Sequence, residues 1–141
     1  MQAARGASLK PLTLLALLVA AAGLVADQVT KWLAVDRLTG EPPRPLVGDL
    51  LQLNLIFNPG AAFGMGGGFT VAFGVLALVA TTVALWFAFR VGTTVWAVAV
   101  GLLIAGIGGN LVDRILREPG PFRGHVVDFL QLPHWPIFNL A

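Results

Sequence analysis

The chain has 141 residues, 57% of them hydrophobic and only 11% charged, with a mean hydropathy of +0.83. That balance cannot cover a water-facing surface and excludes an ordinary soluble domain, which leaves an integral membrane protein. The net charge of +2 comes from scattered Lys and Arg with no basic run, which argues against nucleic-acid binding, and the absence of Cys excludes disulfides, thiol catalysis and thiolate metal sites.

The charge-free stretches are residues 11–26, 50–89, 91–112 and 129–141, to be compared with the roughly 20 apolar residues that a spanning helix needs. Arg5 and Lys10 followed by an apolar run and small residues up to Ala26 resemble a cleavable signal peptide. A secreted soluble remainder would not carry two later membrane-length runs, so the segment is read as an uncleaved first helix over about 12–34. Asp27, Gln28, Thr30 and Lys31 lie at its far end, and Asp27 and Lys31 are one turn apart on one face.

From Asp36 to Gly68 the chain changes character. Gly40, Pro42, Pro43 and Pro45 break helix, while Leu51, Leu53, Leu55 and Phe57 alternate with Gln52 and Asn54, which predicts a short hairpin turning near Gly48 and Asp49. Asn58-Pro59-Gly60-Ala61-Ala62-Phe63-Gly64 and Gly66 to Gly68 form a loop with little side-chain bulk, open to close backbone approach. It lacks the Gly-Lys-Ser/Thr ending of a nucleotide loop.

A second helix is expected over about 69–89 and a third over about 94–112, joined so tightly at Arg90 and Gly92 that they must be antiparallel. On the third, Ala97, Gly101, Ala105 and Gly109 recur every fourth residue, a ridge suited to close helix packing in lipid. This connectivity brings Lys31, Asn58, Asp113 and Asp128 to one membrane face. The distribution of Lys and Arg leaves open which face that is. The last residues, from Pro136, open another apolar segment that stops at Ala141, which leads to the expectation that the sequence is a fragment cut early in a fourth helix.

The chemistry is narrowed by elimination. There is no Cys or Tyr, one Ser at position 8, and two His, 125 and 134, without metalloprotease spacing. Carboxylates remain. Asp128, in Gly124-His125-Val126-Val127-Asp128-Phe129, is flanked by apolar residues, so partial desolvation should favour its protonated form and suit it to proton transfer. Simple pairing with Arg123 or Arg114 is the competing reading. Asn110, Asp113 and Arg114, at i, i+3 and i+4, put an amide, a carboxylate and a guanidinium on one helical face. Either Arg114 holds a carbonyl or phosphate, or Asp113 and Arg114 form an interfacial anchor; both readings stay open.

Five segments in order resemble the lipoprotein signal peptidase (signal peptidase II) family: Asp27-Gln28-Val29-Thr30-Lys31, Asn58-Pro59-Gly60-Ala61-Ala62-Phe63-Gly64, Gly108-Gly109-Asn110-Leu111-Val112-Asp113-Arg114, Gly124-His125-Val126-Val127-Asp128-Phe129 and Pro136-Ile137-Phe138-Asn139-Leu140-Ala141. The resemblance implies an all-α integral membrane protein, a four-helix transmembrane bundle with a small extracytoplasmic β-cradle. On this chain that means a single membrane domain over 1–141. Its spans would lie at about 12–34, 69–89 and 94–112, with an incomplete fourth from about 136 and the cradle and loop at about 40–68 and 120–132.

The function implied is an aspartic endopeptidase of the bacterial inner membrane. It removes signal peptides from prolipoproteins before a diacylglyceryl-modified cysteine, needs no metal or organic cofactor, works as a monomer among membrane lipids and faces its active site outward. By motif, Asp128 matches a catalytic aspartate, and Asn110 and Arg114 match residues that hold the substrate backbone. Asp27, Lys31, Asn58, Gly60, Asp113 and Asn139 match supporting or substrate-binding positions. The family's second catalytic aspartate directly follows the Phe-Asn-x-Ala motif, where this chain has reached Ala141. The expectation is therefore that an Asp and about 20 apolar residues continue the native chain, and that the 141-residue form is inactive. The rival expectations are a small proton-coupled transporter, weakened by the lack of internal repeats, and a structural membrane subunit, which leaves the Asn110, Asp113 and Arg114 spacing unexplained.

Overall fold

The computed structural model describes residues 10–60 and 67–141. Most of the glycine-rich stretch after Gly60, as well as Arg5 and Ser8, lies outside them. Three helices, α1 (Pro11–Leu38), α2 (Thr70–Ala88) and α3 (Thr94–Leu116), carry a small sheet of β1 (Arg44–Val47), β2 (Leu51–Asn58) and β3 (Val126–Gln131). All three helices are long and apolar enough to cross a membrane.

Both polar-ended helices outrun the apolar stretches used to bound them. α1 passes Ala34 and ends where Gly40 takes a φ of +77° and Glu41 donates its N–H to the Leu38 carbonyl. α3 passes Val112 by one turn, so Asp113 and Arg114 sit inside the helix and not beyond it. Hydropathy marks where lipid contact stops, whereas a helix continues until its backbone is broken.

The main packing joins α1 to α3. The buried positions of α1 are Thr13, Ala16, Ala20, Asp27, Lys31, Ala34 and Leu38, a single stripe at helical spacing. Opposite it runs the small-residue ridge of α3. A Cβ on Gly101 would stand 2.6 Å from the Ala16 carbonyl oxygen, one on Gly23 would stand 2.6 Å from the Ala105 Cβ, and one on Gly109 would collide with the Asp27 carboxylate. The ridge thus lets the helices approach to backbone contact along their length. α2 closes the opposite end with Ala84 and Ala88, which pack with Ala16, Ala20, Ala97 and Ile104. Large apolar side chains such as Leu18, Val25, Leu76, Val79 and Leu102 stay exposed, as a lipid-facing surface requires.

The sheet is antiparallel in the order β1-β2-β3, and its hairpin turns through Gly48, with Leu50 N–H bonded to the Val47 carbonyl. Val127 and Phe129 of β3 pack with Ala34 and Leu38, which fixes the strand to the end of α1. By the alternation of a strand, Val126 and Asp128 then face the other way. The segment expected to open a fourth helix near Pro136 is not helical up to Ala141. Phe138 bridges to Leu130 instead, its carbonyl accepting from Phe129 and Leu130 and its N–H donating to the Leu130 carbonyl. The backbone N–H and carbonyl of Phe138 are already spent on the sheet edge, which keeps this stretch from entering a helix there.

Candidate active site

Two linked polar groups sit where the ends of α1 and α3 meet β2, β3 and the C-terminal segment. The first is a buried ionic island. Lys31, fully buried, lies 2.9 Å from Asp27 and 2.7 Å from Asp113, and it donates to the Asn110 amide oxygen at 3.0 Å. Arg117 Nε reaches the other oxygen of Asp113 at 2.7 Å. Two carboxylates and two cations therefore share one desolvated site, where loss of a single partner costs about 3–5 kcal/mol. The i, i+4 geometry supplies both helical pairs, Asp27 with Lys31 and Asp113 with Arg117. Gln28 adds its amide to Asp27 and to the Gly109 carbonyl, at 3.0 and 3.1 Å.

The second group surrounds Asp128. Asn58 pairs in register with Val126, and Asp128 with Ile56, so Asn58 and Asp128 are diagonal neighbours on one face of the sheet. Asn58 Nδ2 donates to Asp128 Oδ2 at 3.0 Å, and Asn139 Nδ2 donates to Oδ1 at 2.6 Å. Each asparagine uses its own oxygen to accept a backbone N–H two residues on, from Gly60 at 2.9 Å and from Ala141 at 2.7 Å. These Asx turns lock both amides with their donors aimed at the carboxyl. Asn110 Oδ1 also accepts from Asn139, which joins the two groups through Lys31.

Burial pushes the Asp128 carboxyl above the usual carboxylate range, opposed by the hydrogen bonds from Asn58 and Asn139 and by the charge of Lys31, with Asp113 adding to the rise. Neither competing ion pair forms: Asp128 has no Arg within ion-pair distance among the described residues, and Asp113 pairs with Lys31 and Arg117, not with Arg114. Arg114 is buried and donates Nη2 to the Gly60 carbonyl at 2.6 Å, while Nη1 has no partner among the described residues.

A cavity of about 260 Å³ opens on Asp128, with Asn58, Gly60, Asn110, Arg114, Asn139 and Ala141 in its wall and Trp135, Pro136 and Ile137 at its rim. Asp27, Lys31 and Asp113 stand behind that wall. No cluster with metal-ligating potential occurs among the described residues.

Arg117, Gln28 and Gly124 were not singled out from the sequence. Arg117 carried the same i+4 signal as Lys31, one turn after Asp113. Gly124 appeared only as the first residue of the Asp128 segment: its N–H caps the Arg114 carbonyl at 3.0 Å, and a Cβ there would collide with the Asp113 carbonyl. Only the tertiary fold reveals that contact.

Three membrane-length helices with an aspartate-centred polar site at one end define a membrane-embedded protein whose buried carboxyls converge there, with Asp128 the one that opens on the cavity. The family model for signal peptidase (SPase) II matches residues 19–141, and the chain belongs to that family. It is 48% identical over 130 residues to the lipoprotein signal peptidase of Mycobacterium avium, covering 90% of this chain and 70% of the relative. Identity to that of Mycolicibacterium smegmatis is also 48%, covering 90% and 54%. Against that of Leifsonia xyli it is 45%, covering 96% and 62%. The chain thus spans a little over half to about 70% of the length of these relatives. Among solved structures it is similar to a bacterial membrane enzyme determined by the in meso method at 1.9 Å resolution, with a TM-score of 0.73 and 27% identity over 89% of this chain and 81% of that one.

Proposed function

We propose that this protein belongs to an aspartic endopeptidase that removes signal peptides from diacylglyceryl-modified prolipoproteins, cleaving before the lipidated cysteine. The observation that carries the reading is the setting of Asp128, a buried carboxyl with both oxygens held by locked amide donors at the mouth of a peptide-sized cavity. Its family membership and the names of its relatives support the substrate class.

An aspartic dyad needs two carboxyls that share a proton, one taking a proton from water while the other gives one to the peptide carbonyl. A carboxyl whose affinity for protons is raised by burial suits either part. Ala141 lines the same cavity as Asp128, and in this reading the partner carboxyl is the aspartate that follows the Phe-Asn-x-Ala motif in this family. Arg114 Nη1 and the Asn110 amide hold the peptide backbone next to the scissile bond. Asp27, Lys31 and Asp113 brace the wall behind them. The reaction needs no metal or organic cofactor.

In this reading the three helices are joined by a fourth to form a bundle in the bacterial inner membrane. The sheet is its extracytoplasmic cradle, both termini are cytoplasmic and the enzyme acts as a monomer. The convergence of the polar groups at one end, not at mid-depth, speaks against a transporter. The experiment is processing of a lipidated and an unlipidated precursor by the full-length chain and by Asp128→Asn. Efficient cleavage of the lipidated precursor by the parent alone is expected, and parent-like activity in the Asn variant would overturn the assignment.

A further inference from the structure

We infer that Arg117 is a positioning residue for Asp128, acting through Asp113; this rests on the reading of Asp128 as the catalytic acid. The two oxygens of Asp113 do different work. Oδ1 takes Arg117 at 2.7 Å, and Oδ2 takes both Lys31 at 2.7 Å and the backbone N–H of Val127 at 3.2 Å. Val127 immediately precedes Asp128, so the Asp113 carboxylate is the tie between α3 and the stretch of β3 that presents the acid. Asp113 is fully buried and cannot find water in place of a lost partner.

Arg117 is the member of the island that reaches solvent: its side chain is 27% exposed, against 0% for Lys31 and Asp113. With Lys31 it is one of the two cations that form salt bridges to Asp27 or Asp113 among the described residues. Without it, Lys31, which already pairs with both carboxylates, is their one remaining salt-bridge partner among the described residues, Oδ2 is drawn further toward the ammonium and the Val127 bond weakens. The uncompensated negative charge also lies behind Asp128. The charged groups facing Asp128 are Lys31 from α1 and Asp113 and Arg114 from α3, whereas β2 and the C-terminal segment contribute the neutral Asn58 and Asn139. Arg117 acts on this set through Asp113, whose charge already favours the protonated form of Asp128, so removing Arg117 leaves that charge less balanced and makes Asp128 easier to protonate. Arg117 itself adjoins Glu118 and His125 in a neighbouring open cavity, and neither forms an ion pair with it.

The test compares Arg117→Gln, Arg117→Met and Arg117→Lys in the full-length chain, with two readouts. In the first, the acid limb of kcat/KM for a diacylglyceryl precursor moves up in the two neutral variants by about half a pH unit, less than the 1–3 units of a direct neighbour, and returns in Arg117→Lys. In the second, amide hydrogen exchange at Val127 speeds up by about tenfold in the neutral variants as local opening becomes easier. An unmoved limb with unmoved Val127 exchange overturns the inference. So does failure of both neutral variants to fold, which would make Arg117 simply structural. If the parent does not cleave, or Asp128→Asn cleaves as the parent does, the proposed function fails, and the Val127 exchange still decides whether Arg117 holds the strand.

Discussion

Asn139 donates its side-chain amide to Asp128 at 2.6 Å, the shorter of the two hydrogen bonds that hold this carboxyl. Its remaining hydrogen goes to Asn110 and its oxygen to the N–H of Ala141, so the amide cannot rotate without breaking all three bonds. Asp128 is therefore buried yet offered donors on both oxygens. Burial raises its affinity for a proton, and the donors keep the ionised form within reach.

Truncating either donor should make Asp128 easier to protonate. In Asn139→Ala and in Asn58→Ala the acid limb of processing is expected to move to higher pH. Each variant should also lose about 1–3 kcal/mol of stability, because buried partners are left unsatisfied. A pH profile of kcat/KM with thermal unfolding in detergent checks both. An unchanged limb would mean that the amides do not set the acid's charge state.

Asp128→Asn should lower processing by about 10²- to 10⁴-fold, the scale of a lost general acid or base. It should also change how stability depends on pH. A carboxyl whose folded pKa is raised contributes stability that is fully present below the unfolded value and lost as pH rises through the folded one. The parent should thus lose stability as pH rises from about 3.9 upward through the raised value, and the Asn variant should show a flatter curve there. Parallel curves would indicate that Asp128 titrates as it does in the unfolded chain.

Much of this was legible in the sequence because membrane helices and motif spacing are strong signals. The charge-free runs located three helices, the i, i+4 rule paired Asp27 with Lys31, and alternation in β2 announced the hairpin. The non-helical path of Pro136 to Ala141 was not legible, because apolar residues look alike in a helix and beside a sheet edge. Nor could spacing show that Asp113 is tied to Val127 or that Arg114 reaches Gly60, since both contacts join segments that only the tertiary fold brings together.

Lys31 holds two carboxylates away from water. Lys31→Met should leave Asp27 without its salt bridge and Asp113 with Arg117 alone as salt-bridge partner among the described residues, and destabilise the fold by about 3–5 kcal/mol, the cost of breaking a buried pair. Thermal unfolding of the purified variant measures it. Near-parent stability would show that water or repacking satisfies the island.

Gly124 and Gly101 test the packing that places the site. Gly124→Ala forces a methyl into the carbonyls at the end of α3, with Arg117 O at 2.8 Å, and Gly101→Ala does the same against Ala16 O at 2.6 Å. Each should cost about 1–3 kcal/mol. Only Gly124→Ala should also lower processing at temperatures where both variants are folded, since its clash lies between Arg114 and β3. Equal activity losses would show that the two contacts matter only through global stability.

The placement of the partner carboxyl can be tested by building it. Ala141 lies in the wall of the cavity that Asp128 also lines, its N–H bonded to the Asn139 side chain. A chain ending at Ala141 should bind a lipidated precursor yet leave it intact. One extended by Asp and about 20 apolar residues should cleave it, and the same extension with Asn at that first position should not. Because the two extended chains differ by one oxygen-for-nitrogen exchange, their comparison separates the need for a second acid from the need for a fourth helix. Cleavage by the chain ending at Ala141, or by the Asn extension, would show that Asp128 works without a partner at that position.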